Sequence, residues 1–343
     1  MQTPTAKNFA SDNYSGVHPK IMDALNLANG GHVPAYGYDE FTEELQTIIR
    51  AHFGDTAHAY PMFNGTGANV VGLQALSTRW GAVICTESAH IHQDESTAPQ
   101  VVGGLKLLAM PTEDGKLIPD MILSQLYNIG SEHRAQPSVV YISQTTEYGT
   151  CYSIDEIRAI CETAHAHGMK VFVDGARLSN AAAYLNATFK EMILETGVDM
   201  VSFGGTKNGM MMGECLIAFD KELASSLRFL RKVGLQTASK MRFISAQFIA
   251  LLSDNLYLNN ARQANAMAKQ LADELITLGI QPIYDVQSNG VFVKLPKKAV
   301  DAARQKYAFY DWDTEGTVRL MCSFDTTADD VTDLVGLIKS NLN

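Results

Sequence analysis

The stretch Ser153-Ile154-Asp155-Glu156-Ile157-Arg158-Ala159-Ile160-Cys161-Glu162-Thr163-Ala164-His165-Ala166-His167-Gly168-Met169-Lys170-Val171-Phe172-Val173-Asp174 decides the fold. Ser153, with Glu156 three residues on, forms a capping box in which each side chain satisfies a backbone N–H at a helix start. Ile154, Ile157, Ile160, Cys161 and Ala164 then recur at helical spacing, and Gly168 stands where a left-handed, helix-ending residue belongs. Val171-Phe172-Val173 reads as a strand apolar on both faces, and Val139-Val140-Tyr141-Ile142 reads the same way before the helix. Strand, helix and strand within about forty residues make one βαβ unit.

Outward from this unit, Ala82-Val83-Ile84-Cys85 and Leu105 to Met110 are further runs apolar on both faces, as strands of a helix-covered parallel sheet must be. From Phe243 to Leu278 the pattern is helical. Strand-like runs return at Gly290 to Leu295 and Val318 to Met321, before a last helix from about Asp329. The expected fold is α/β, with a large, mostly parallel sheet domain over residues 1–250 and a smaller C-terminal α/β domain over 251–343.

Composition narrows the function. Hydrophobic residues make up 46% and charged residues 19%, enough to bury a large core and too apolar for a disordered chain. The longest apolar run, Phe243 to Leu252, falls short of the ~18 residues of a membrane helix and carries Ser245 and Gln247. The opening segment has no basic stretch followed by an apolar one, so a cytoplasmic address is expected. With 27 Lys and Arg against 37 Asp and Glu, the formal charge is −10, which repels a phosphate backbone and argues against nucleic acid. Five cysteines without a C-x-x-C read as reduced, buried thiols.

Three segments carry chemistry. Asp174 ends its strand, the place where open α/β sheets bind ligands, although an aspartate there can also simply cap a helix. Lys207 lies in Ser202-Phe203-Gly204-Gly205-Thr206-Lys207-Asn208-Gly209, where small neighbours leave room for a ligand. A desolvated amine there has a lowered pKa and can form a Schiff base with an aldehyde, although a plain loop lysine fits too. Asn64-Gly65-Thr66-Gly67-Ala68-Asn69 leads into a helix and can hold an anion on backbone N–H groups. Val70 replaces the third glycine of a dinucleotide fingerprint, so a single-phosphate cradle of Gly65 and Thr66 remains. Phosphate cradle, strand-end aspartate and lysine, in that order, are what pyridoxal 5'-phosphate (PLP) requires.

On these segments the chain resembles the threonine aldolases, fold-type-I PLP-dependent enzymes, from Ser11-Asp12-Asn13 to Arg319. The most specific parts are Val173-Asp174-Gly175-Ala176-Arg177-Leu178 and Gly205-Thr206-Lys207-Asn208-Gly209. The resemblance implies a PLP-dependent carbon–carbon lyase that cleaves a β-hydroxy-α-amino acid to glycine and an aldehyde. It implies Lys207 as the Schiff-base lysine, Asp174 on the pyridine nitrogen, and Gly65 with Thr66 on the phosphate. Arg177 and Arg319 match the arginines that bind the substrate carboxylate, helped by Ser11, and His90 matches the histidine stacked on the ring. A homotetramer built from dimers is implied as well, with Arg231 or Lys232 reaching a neighbouring subunit's phosphate.

Two departures stand out. Many relatives carry a histidine near the substrate hydroxyl in the segment that here reads Gln144-Thr145-Thr146-Glu147-Tyr148-Gly149, so Glu147 takes its place. The catalytic set is therefore Lys207, His90 and Glu147, with His90 preferred as base because its unperturbed pKa of ~6.5 lies nearer working pH. Gly67 stands where many relatives have methionine. Three rivals remain: a PLP-dependent β-eliminating lyase, a metal-dependent hydrolase using His90, His92 and Asp94, and a PLP-fold binding protein that has lost catalysis. No metal is expected. Met210-Met211-Met212 is expected to fill core.

Overall fold

The computed structural model describes residues 7–342; the first six residues, where the reading of the opening segment begins, and Asn343 lie outside them. The large sheet has seven strands: β1 (His58–Met62), β2 (Gly81–Thr86), β3 (Lys106–Met110), β4 (Gln136–Ser143), β5 (Lys170–Gly175), β6 (Met200–Gly204) and β7 (Glu214–Ala218). Their order is β1-β7-β6-β5-β4-β2-β3. The run from β3 to β6 is parallel, and β7 lies antiparallel between β6 and β1.

The deciding stretch folds as its residues dictate. Ser153 Oγ accepts from Glu156 N at 3.2 Å, and Glu156 Oε2 accepts from Ser153 N at 2.6 Å. The helix Ile154–Ala166 buries Ile157, Ile160, Cys161 and Ala164, and Gly168 leaves it at φ 73°. His165 ends the helix and bonds Asp199 through Nε2 at 2.8 Å. Parallel pairing then sets Ser143 beside Asp174, and Asp174 beside Ser202, in one row across the carboxyl ends of β4, β5 and β6.

Three expectations need correction. β3 is an edge strand, so Lys106 is exposed and the rest only half-buried, because among the described residues no strand pairs with its outer side. The helical run from Phe243 breaks at Ser253–Asn255, where Asp254 and Asn255 take left-handed conformations and separate the helices Arg242–Leu252 and Leu256–Thr277. Met210 is buried, but Met211 and Met212 are over 40% exposed, on a turn held open by Gly209 at φ 99° and Gly213 at φ 126°.

Beneath β6, Phe53 and Phe189 stack with centroids 4.8 Å apart, and Phe203 packs against both. Each such pair contributes about 0.5–1.5 kcal/mol beyond its burial and fixes the strand that delivers Lys207. The small domain is an antiparallel sheet of β8 (Gly290–Lys294), β9 (Tyr310–Asp311) and β10 (Thr317–Met321), with β10 central. Its core joins Leu271 and Leu275 of the long helix to Val291, Val293, Leu320 and Leu334. Phe9 is buried in it too, donating from N to Ala308 O and accepting at O from Met321 N. That anchorage lays Ser11, Asp12 and Asn13 across the carboxyl edge of the large sheet. All five cysteines are free and buried. Among the described residues, no helix is long and apolar enough to cross a membrane.

Candidate active site

Two adjoining cavities open at the carboxyl ends of β4, β5 and β6. The inner, of about 400 Å³, is lined by Gly65, Thr66, Asn69, Asp174, Lys207 and Glu214 among others. The outer, of about 720 Å³, is lined by Ser11, Tyr148, Tyr310, Trp312 and Arg319 among others. Asn13, His90, Glu147, Arg177 and Lys207 belong to both walls. Ser11, Gly65, Thr66, His90, Glu147, Asp174, Arg177, Lys207 and Arg319 thus fall on adjoining walls, whereas His92, Arg231 and Lys232 line neither cavity.

Asp174 is buried and fully engaged. Its Oδ2 accepts from Asn69 Nδ2 at 2.8 Å and Tyr141 Oη at 2.7 Å, and its Oδ1 accepts from Ala176 N at 2.9 Å. Burial opposes its charge, but His90 and these bonds outweigh the penalty and hold the carboxyl below its usual range. It is a buried, ionised acceptor on the wall of the inner cavity.

His90 starts the short helix His90–Gln93. Its Nδ1 lies 2.8 Å from Oε1 of Glu95, which also accepts from Asn69 Nδ2 at 2.8 Å. Burial pushes the imidazole pKa down, yet Glu95 and Asp174 carry it above the ordinary value. Glu147 reaches the same place from the segment after β4. Its Oε1 accepts from His90 N at 2.8 Å and Ser143 Oγ at 2.6 Å, whereas Oε2 is buried without a partner. Burial raises the Glu147 carboxyl despite those donors.

Lys207 sits on the turn Thr206–Asn208 that follows β6. Burial, reinforced by the Arg177 charge, pushes its pKa down, while Asp12, Asp174 and Glu214 resist. Glu214, buried at the start of β7, is raised by burial to about 7. Asn64 caps the helix Gly65–Leu76 by accepting from Gly67 N at 2.8 Å, which leaves the N–H groups of Gly65 and Thr66 without an intrahelical acceptor. A Cβ at Gly65 would meet nothing within 4 Å, so the cradle opens onto free space. One at Gly67 would strike the amide end of the Gln236 side chain at 2.2 Å, so Gln236 would have to move to admit a side chain there. Open anion cradle, ionised carboxylate and desolvated amine around one cavity fit PLP.

Arg177 donates from Nε and Nη2 to the buried carboxylate of Asp12, at 2.7 and 2.9 Å. Arg319 reaches the outer cavity from β10, donates from Nη2 to Ala10 O at 3.2 Å, and lies over the rings of Tyr310 and Trp312. Ser11 caps the Asp12–Tyr14 turn at the same mouth. Arg231 turns into its own chain, buried against Tyr60 and bonded to Pro61 O; its neighbour Lys232 is the exposed one.

Sequence reasoning missed Asp12, Asn69, Glu95, Tyr141 and Glu214. Tyr141 left one trace: a hydroxyl inside an otherwise apolar strand must find a buried partner. Asp12 and Asn69 sat unremarked inside segments already singled out. Glu95, five residues past His90, follows no helical spacing. Among the described residues no three His, Cys, Asp or Glu side chains gather to hold a metal, and His90 is engaged by Glu95 instead. The hydrolase reading has no centre to rest on.

A lysine after one strand, an aspartate ending the next, and a helix N-terminus facing both, on a sheet of this order, define a fold-type-I PLP-dependent enzyme. Residues 8–298 match the family model of the β-eliminating lyases. The chain is 39% identical to a low specificity L-threonine aldolase of Pseudomonas sp., over 98% of this chain and 99% of that one. It is 40% identical to that of Pseudomonas aeruginosa, over 97% of each. Among solved structures, a threonine aldolase of Leishmania major matches at TM-score 0.92 and 31% identity, over 98% of this chain and 99% of that one. The chain belongs to the β-eliminating lyase family, among its low-specificity threonine aldolases, and is a PLP-dependent lyase.

Proposed function

We propose that the protein cleaves β-hydroxy-α-amino acids of the threonine, allo-threonine or phenylserine type to glycine and an aldehyde by retro-aldol chemistry. The observation that carries this is the shared wall: Lys207, His90, Glu147 and Arg177 stand where the inner cavity opens into the outer one. A cofactor-sized space thereby meets a substrate-sized one across two proton acceptors and a guanidinium. The relatives named as threonine aldolases support the same reading.

Bound PLP supplies an electron sink for the pair released when the Cα–Cβ bond breaks. Lys207, the desolvated amine on the cavity wall, would hold the cofactor aldehyde. Asp174 would keep the ring nitrogen protonated, and Gly65 with Thr66 would hold the phosphate. Arg177, Arg319 and Ser11 fix the substrate carboxylate and thereby aim the β-carbon at the outer cavity. His90, on the wall shared by the two cavities, would accept the β-hydroxyl proton. Glu147, tied to His90 N, orients the hydroxyl or a water beside it.

The working form is a cytoplasmic homotetramer, a dimer of dimers. Exposed Phe63, Met211 and Met212 beside the inner cavity support burial of that face by a second copy, and a stable, active monomer in light scattering would contradict it. The chemistry is tested in reverse. Given glycine and an aldehyde, the holoenzyme forms a β-hydroxy-α-amino acid; a β-eliminating lyase forms no carbon–carbon bond from these and would overturn the reading.

A further inference from the structure

We propose that Glu95 is a positioning residue that holds the proton of His90 on Nδ1, leaving Nε2 as the lone pair that accepts the substrate's β-hydroxyl proton. This rests on the aldolase reading for the proton it moves, but the geometry behind it stands apart from that reading.

The orientation follows from the hydrogen bonds. Asn69 Oδ1 accepts from Ser202 Oγ at 3.1 Å, so its amide nitrogen faces the other way, with one hydrogen for Asp174 Oδ2 and one for Glu95 Oε1. Glu95 Oε1 is thereby an acceptor, and the ring nitrogen 2.8 Å from it must be the donor. The Glu95 side chain is wholly buried while that of His90 is 37% exposed and lines both cavities, so Nδ1 is the ring nitrogen turned to the buried acid. The charged groups facing His90 are Glu95 from its own segment, Asp174 from β5 and Lys207 after β6, with Glu147 on its backbone N–H. Glu95 and Asp174 favour an imidazolium, and Asn69 ties those two carboxylates together.

In the step itself, the substrate O–H bond breaks and an Nε2–H bond forms. The oxygen's pair becomes the second bond of the aldehyde carbonyl as Cα–Cβ breaks, and its pair stays with Cα. The imidazolium keeps Nδ1–H on Glu95, as a carboxylate steadies a general-base histidine in hydrolytic triads.

Neutron diffraction from deuterated crystals of the holoenzyme reads the proton without turnover. In crystals held at a pD where His90 is neutral, deuterium on Nδ1 with Nε2 bare is expected; deuterium on Nε2 with Nδ1 bare, or on a Glu95 oxygen, overturns the proposal. Glu95→Gln removes the anion and keeps the shape. The His90 pKa then falls, so the acidic limb of kcat/KM moves about one pH unit lower. kcat falls about 10- to 100-fold with KM nearly unchanged. In a His90→Asn background Glu95→Gln should add no further loss. An unmoved acidic limb reduces Glu95 to a structural acid. A wild-type enzyme that makes no glycine from threonine or phenylserine fails the aldolase reading instead, and leaves the tautomer to the neutron map.

Discussion

Asp12 grips Arg177 with both carboxylate oxygens, at 2.7 and 2.9 Å, and is itself held by Asn289 Nδ2 at 3.0 Å. The N-terminal arm and the turn after β5 therefore meet in one buried ion pair, which the segment before β8 steadies through Asp12. Removing one partner of such a buried pair costs about 3–5 kcal/mol, because the other charge stays buried and uncompensated. Asp12→Asn should lower Tm and raise KM for the amino acid more than it lowers kcat. An unchanged KM would show that Asp12 does not set the Arg177 position.

The same pair predicts an acid response. Burial penalises the Asp12 charge, but Arg177 outweighs it and holds the folded pKa below 3.8. Its stabilisation is thus complete above the unfolded value and disappears as pH falls through the lowered folded one. Denaturation measured from pH 6 down to 2 should lose stability more gently for Asp12→Asn than for the wild type over the acid end. Parallel curves would contradict this.

Asp174→Asn preserves shape and removes the anion opposite the ring nitrogen. A charge-assisted hydrogen bond of about 1.5–3 kcal/mol corresponds to a fall in kcat of about 10- to 150-fold, with cofactor still partly bound. Steady-state kinetics with bound PLP quantified checks both halves. An unaltered kcat would leave Asp174 as a helix cap.

The two acceptors at the shared wall separate by substitution. His90→Asn should cripple cleavage of threonine and phenylserine alike, whereas Glu147→Gln should slow both less and shift the preference between them. The inverse pattern, an inactive Glu147→Gln beside an active His90→Asn, makes Glu147 the base. Its raised pKa and unpartnered Oε2 are the features such an outcome would draw on.

Much of this architecture was legible because it obeys local rules. The Ser153/Glu156 box, the Gly168 exit and the apolar β4 and β5 are written in spacing that depends on no distant partner. Asp174 and Lys207 were findable because parallel strands deliver their carboxyl ends to one edge. What was hidden depends on tertiary register: Asp12 meets Arg177 only because Phe9 anchors the arm to the small sheet, and Asn69 meets Glu95 only after the cradle helix packs. The exposed Met211 and Met212 misled because methionine's hydropathy does not reveal that glycines on either side push the turn outward.

Lys207→Ala should abolish turnover and remove the borohydride-reducible link to cofactor, since among the described residues no other lysine lines either cavity. Peptide mapping that finds the label on Lys232 or Lys240 would displace the assignment.

The most direct measurement is product analysis of the purified holoenzyme acting on threonine and on phenylserine. Glycine and the matching aldehyde should appear in equal amounts, with no ammonia and no α-keto acid, and both should vanish in Lys207→Ala. Ammonia with an α-keto acid in place of glycine would contradict the retro-aldol account and make the enzyme a β-eliminating lyase.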